Sequence, residues 1–160
     1  MHKKHTDEQA AQASLAKDEY LVAIKILLRD GDKLLVTKDS YGAWDIPGGR
    51  IRKDQFDVSD EDILAEKVRV EIGPQVRYEL GDIKTTLRVQ REEIGRNGAI
   101  VRVYAICYEA TYLAGEIELG GYHENVEWID LRTANLADYT TPDGWVHQLT
   151  EYQESVKRGK

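Results

Sequence analysis

The stretch WDIPGGRIRKDQFDVSDEDILAEKVRVEIGP, residues 44–74, decides how the rest of the chain is read. Gly48 and Gly49 follow Pro47, and Arg50 and Arg52 come directly after them. Residues without a Cβ let a backbone come close to a ligand, so the stretch opens like a phosphate-handling loop. Ser59 then precedes Asp60, Glu61 and Asp62. Acids in a first turn complement the unpaired N–H groups and the dipole of a helix. Ile63, Leu64, Val68 and Ile72 recur at helical spacing, which predicts a helix over 60–72 that Gly73-Pro74 stops.

The flanking segments supply a sheet. Tyr20–Asp30, YLVAIKILLRD, is apolar and β-rich; Gly31-Asp32 marks a turn, and KLLVTKD returns, so the pair reads as a hairpin. Strands are expected at about 75–80 and 83–91, a turn at Asn97-Gly98, and a central strand in AIVRVYAICYEATY. A short strand over Glu116–Leu119 and the run NVEWIDL close the sheet. Trp145, Leu149, Tyr152 and Val156 share one helical face, with Thr141 as cap and Pro142 at the first position. Thr6 and Gln9 form a capping box for a helix over 6–18. The reading is an α+β chain with a helical extension over 1–19 and a single domain over 20–160.

Bulk properties narrow the function. The 160 residues are 41% hydrophobic and 32% charged, ordinary for a globular protein with a real core. A net charge of −7 argues against broad nucleic-acid binding and suits a site that takes an anion together with a divalent cation. No apolar run has membrane-spanning length and the N-terminus lacks a signal peptide's apolar segment, so the expected compartment is the cytoplasm. The single cysteine, Cys107, reads as a buried thiol. The Ala-rich N-terminal helix could support a homodimer.

The order hairpin, Trp44-x-x-Pro47-Gly48-Gly49, acidic helix ending Glu71-Ile72-Gly73, mixed sheet and C-terminal helix resembles the Nudix hydrolase family (MutT-like) over about residues 20–157. The resemblance implies a mixed β-sheet packed between helices, an α/β/α sandwich, and hydrolysis of a nucleoside diphosphate linked to another moiety. It also implies Mg²⁺ or Mn²⁺. The family's signature is G-x5-E-x7-R-E-U-x-E-E-x-G-U, with U a bulky apolar residue. Glutamates at i, i+3 and i+4 share one helix face, and hard cations want such oxygen ligands. The cations bridge the diphosphate and activate water.

This chain departs from that signature. Anchored at Glu71-Ile72-Gly73, Glu71 matches the second Glu of the E-E pair, but Val70 replaces the first. Lys67 replaces the Glu of R-E, and Glu66 stands at its Arg. Gly49 lies three residues further from Glu66 than the family spacing allows, so counting back puts Val58 at the early Glu, with Asp57 the nearest acid. Lys67 and Glu71 are i, i+4, which predicts an ion pair in which the ammonium occupies the charge space of a metal.

The candidate catalytic residues are therefore Glu71, Glu66 and Glu124, with Glu71 and Glu66 as metal ligands. Glu66 could act through a displaced site with Asp62 and Asp57 or Asp60. Glu124, or Glu127 instead, would serve as the late-loop acid, and His123 could contact a phosphate. Trp44, Gly48, Gly49, Arg50, Arg52 and Arg102 are the candidate substrate contacts, Trp44 by stacking on a base. Arg88, Arg91, Arg96 and Arg102 gather around the Asn97-Gly98 hairpin, and Tyr104 and Tyr108 share a face with Arg102. Two readings stay open: a divergent, weak or inactive hydrolase, and a binding module for a nucleotide or a partner. A pure interaction scaffold is a third use of the same fold.

Overall fold

The structure is a computed structural model that describes residues 6–95, 98, 100–140 and 145–159. The first two strands are β1, Leu21–Asp30, and β2, Lys33–Asp39. They form the expected hairpin for only two residue pairs, Arg29↔Leu34 and Asp30↔Lys33. The strands then part, because two short strands fill the gap. These are β3, Trp44–Asp45, on β2, and β4, Gly48–Arg50, on β1. Next come helix α2, Asp60–Glu71, and β5, Arg77–Ile94, β6, Ile100–Ala114, and β7, His123–Asp130, with α3, Thr150–Lys157, at the end. The helix α1, Asp7–Leu15, precedes them all.

β6 runs parallel to β1 from Leu21↔Val103 to Arg29↔Thr111 and antiparallel to β5, and β7 pairs antiparallel with β2. The sheet is mixed, and β6 is an interior strand between β1 and β5. β1 is buried on both faces. Ile24, Ile26 and Leu28 meet Ile63, Leu64 and Val68 of α2 and its C-cap Ile72 on one side. Ala23 and Leu27 meet Trp145, Leu149, Tyr152 and Val156 on the other. This is the predicted α+β sandwich, with the sheet between helices.

Several expectations are corrected. The runs at 75–80 and 83–91 are one strand, irregular between Leu80 and Thr85, not two. Glu116–Leu119 is not a strand. It caps α2 instead: Glu118 N–H donates to Ile72 O at 2.9 Å and Gly120 N–H to Glu71 O at 3.0 Å, which satisfies carbonyls that a helix end leaves unpaired. α1 ends at Leu15 rather than 18, keeps its Thr6/Gln9 capping box and buries none of its residues. The C-terminal face is buried as read, but as a 3₁₀ turn over Val146–Gln148 followed by α3, whose N-cap is Leu149. Thr141, Pro142, Arg96 and Asn97 lie outside the described residues. Cys107 is fully buried, and burial pushes its thiol up to about 12, so it is inert.

Candidate functional site

Gly48 and Gly49 are not loop residues. They form β4, pairing with Lys25 and Ile24 of β1. Gly48 has φ +137°, and a Cβ there would lie 2.2 Å from the Ile24 carbonyl oxygen. The missing side chain lets two strands of this chain pack; it does not open a phosphate loop. A Cβ on Gly49 would point at α2 and lie 2.8 Å from Lys67 Cε and 3.1 Å from its Nζ. Lys67 therefore lies over the glycine strand.

Helix α2 starts where the sequence indicates. The Ser59 hydroxyl accepts from Asp62 N–H at 3.2 Å. The Asp60 carboxylate accepts from Tyr108 Oη–H at 2.6 Å, which ties the first turn to β6 and pushes the phenol up to about 12. The far end carries the one glutamate left in the motif. Gly48 N–H donates to Glu71 Oε2 at 2.9 Å, and His123 Nε2 lies 3.6 Å from Glu71 Oε1. Glu71 and His123 are 15% and 10% exposed, so the contact is largely shielded. The expected Lys67–Glu71 ion pair does not form: both Glu71 oxygens face other groups, and Lys67 makes no ion pair or hydrogen bond among the described residues.

The other candidate acids are drawn elsewhere. Glu66 lies 3.5 Å from Arg52 Nη1, and Arg52 also donates from Nε to Asp54 at 3.1 Å. Glu124 is exposed and sits in a strand, not a loop: the β2–β7 register jumps from Lys38↔Asn125 to Asp39↔His123, which leaves Glu124 as the bulge residue. Glu127 accepts from Tyr139 Oη–H at 3.0 Å. Mg²⁺ demands near-ideal octahedral oxygen ligation. Among the described residues no three His, Cys, Asp or Glu side chains converge anywhere. With Val70 apolar, Glu66 paired and Glu71 hydrogen-bonded, the residues present do not fit the divalent ion that the motif implies.

The candidate substrate contacts divide. Arg50 lines a cavity of about 90 Å³ on the sheet face away from α2, together with Lys25, Gly49, Arg91 and Trp145. Trp44 packs edge-on against Tyr139, centroids 5.0 Å apart, with Lys38 Nζ 5.5 Å above its ring. Arg102 is on the α2 side of β6, held by Asp18 and by Gln90 at 3.2 Å. The structure does not bring it to the cavity. Tyr104 shares that side, under Arg88 at 5.7 Å and edge-on to Tyr20.

Two residues escaped the sequence reading. Lys25, inside an apolar run, is 4% exposed. Its ammonium donates to Asp45 Oδ2 at 3.0 Å and Ile46 O at 3.1 Å, and lies 4.3 Å from the centroid of the Trp145 ring. A lysine at an inward position of a strand was the available signal, since buried charges need partners. The second is Gln55. Counting forward from Gly49, rather than back from Glu71, puts Gln55 at the early Glu. Gln55 is 4% exposed, and its Oε1 accepts from Arg52 N–H at 2.9 Å. The extra length thus falls in the turn after Gln55, where Phe56 is 90% exposed.

No protein-family model matches the sequence. No curated protein matches it either. Solved structures do. A MutT protein from Methanosarcina mazei Go1 superposes with TM-score 0.65 at 21% identity over 87% of this chain and 96% of that one. A Nudix hydrolase from Nitrosomonas europaea gives 0.65 at 15% identity over 90% and 76%. An ADP-ribose pyrophosphatase from Streptococcus suis gives 0.58 at 18% identity over 87% and 93%. This chain has the Nudix fold. Among the described residues, no helix is long and apolar enough to cross a membrane.

Proposed function

We propose that the chain uses a Nudix fold to bind a nucleoside diphosphate linked to another moiety, and that metal-dependent cleavage of the pyrophosphate bond is weak or lost. The observation that carries this is Glu71. It is the only carboxylate at the three helix positions of the motif; Gly48 N–H already donates to one of its oxygens, and His123 Nε2 lies 3.6 Å from the other. A lone, hydrogen-bonded carboxylate supplies too few ligands to hold Mg²⁺ or Mn²⁺ and activate water. The fold neighbours include a MutT protein and an ADP-ribose pyrophosphatase, which supports a nucleotide-type small molecule as the ligand.

A hydrolase working through displaced acids would need Glu66 with Asp62 and Asp57 or Asp60, or else Glu124. Glu66 and Asp60 have other partners, Glu124 lies in an exposed strand bulge, and no three such side chains converge among the described residues. Calorimetric titration of Mg²⁺ and Mn²⁺, with and without a non-hydrolysable nucleoside diphosphate analogue, tests the reading. Wild type should bind neither metal. Lys67→Glu combined with Val70→Glu restores carboxylates at all three positions and should gain micromolar metal affinity. Mg²⁺-dependent turnover of ADP-ribose by wild type, lost in Glu71→Gln, would overturn the proposal.

A further inference from the structure

The misfit between this site and a divalent ion leaves a positive charge in the place where one is wanted. Lys67 sits one helical turn before Glu71. Its stem crosses β4 only because Gly49 has no Cβ. The residue is half-buried, and its ammonium has no ion pair or hydrogen bond among the described residues. That is unusual on a helix whose next turn carries a glutamate, since i, i+4 pairs of this kind attract. Glu71 does not answer: one of its oxygens accepts from Gly48 N–H and the other faces His123 Nε2 at 3.6 Å. The cation is thus held beside the glycine strand without a carboxylate to neutralise it.

We infer that Lys67 is a resident cation for phosphate, so that the site binds a diphosphate group without any metal ion. The inference rests on the reading above that the ligand carries a diphosphate. An ammonium is a compact point charge with three donors, suited to phosphate oxygens. Unlike a divalent ion it exchanges no ligands and activates no water. The same substitution thereby retains the anion and removes the cleavage. Inorganic pyrophosphate and the diphosphate of a nucleotide present the same chemistry, and the test separates them.

Binding of α,β-methylene ADP and of inorganic pyrophosphate is measured by calorimetry in EDTA and in Mg²⁺, for wild type, Lys67→Met and Lys67→Arg. Wild type should bind the nucleotide analogue in EDTA as tightly as in Mg²⁺. Lys67→Met, which keeps an apolar stem of similar length, should weaken binding about tenfold to a hundredfold, the loss expected for one charged hydrogen bond. Lys67→Arg should recover most of it. Thermal melts of the variants confirm that the fold is intact. Pyrophosphate binding that needs Lys67 supports the inference with the diphosphate as the whole ligand. Analogue-only binding that needs Lys67 supports it with the nucleoside contributing. Binding that is equal in Lys67→Met overturns the inference alone and leaves the functional proposal standing, whereas binding that requires Mg²⁺ overturns the inference together with the expectation that wild type holds no metal. No binding of either probe in any buffer overturns both.

Discussion

Helix α2 carries two adjoining stripes. Ile63, Leu64, Val68 and Ile72 pack on the sheet, and all four are at most 2% exposed. Lys67 and Glu71 run beside them toward β4. The apolar stripe follows rules that admit many residues, because burial rewards area and volume rather than identity. The polar stripe admits few. A carboxylate there binds a cation, whereas a lysine is itself one. A protein can therefore keep one stripe, and with it the fold, while the other changes its chemistry.

The largest expected effect falls on the apolar stripe. Leu64 is fully buried against β1. Leu64→Ala should destabilise the protein by about 2–5 kcal/mol, through lost transfer energy and the cavity left behind. Denaturant unfolding with an unchanged m-value checks this. A loss below about 1 kcal/mol would mean that α2 is not a core helix, and the distinction between the stripes would fail.

This difference also governs what could be read from the sequence. KLLVTKD coincides with β2, and Ser59 marks the first turn of α2, because a β-rich run after a turn and a capping residue are local signals. The burial of Trp145, Leu149, Tyr152 and Val156 followed from one helical period. What escaped was non-local. The parting of β1 and β2 depends on β3 and β4 filling the gap between them. Glu116–Leu119 has the composition of a strand but finds its partners at the end of α2. The inward turn of Lys25 is intelligible only once Asp45 and Ile46 stand opposite it. Glu71 is the acid that the motif keeps, yet its partners lie at Gly48 and His123, distant in sequence, and the nearest cation on the helix, Lys67, is not among them.

Glu71 sharpens the comparison at intermediate size. If it now serves as an acceptor for Gly48 N–H, Glu71→Gln should be nearly neutral, since the amide oxygen can accept the same bond. Glu71→Ala leaves a largely buried N–H unsatisfied and should cost about 1–3 kcal/mol. Chemical denaturation of the two variants side by side decides it. A metal ligand gives another pattern: both variants would keep their stability and lose Mg²⁺-dependent binding equally.

Gly49→Ala should have the smallest effect on stability and bears most directly on the polar stripe. The added methyl would lie 2.8 Å from Lys67 Cε and 3.1 Å from Nζ, with no backbone atom among its closest neighbours. A flexible side-chain end can move aside through its rotamers, so the stability change should stay within about 0.5 kcal/mol, as for most surface substitutions. The ammonium, however, must leave β4. Melting temperature should barely change, while any anion affinity that depends on Lys67 should fall with it. A large loss of stability would show that Lys67 is packed as part of the core, and the two stripes would then be one. An unchanged affinity would show that the position of the ammonium over the glycine strand has no bearing on what the site holds.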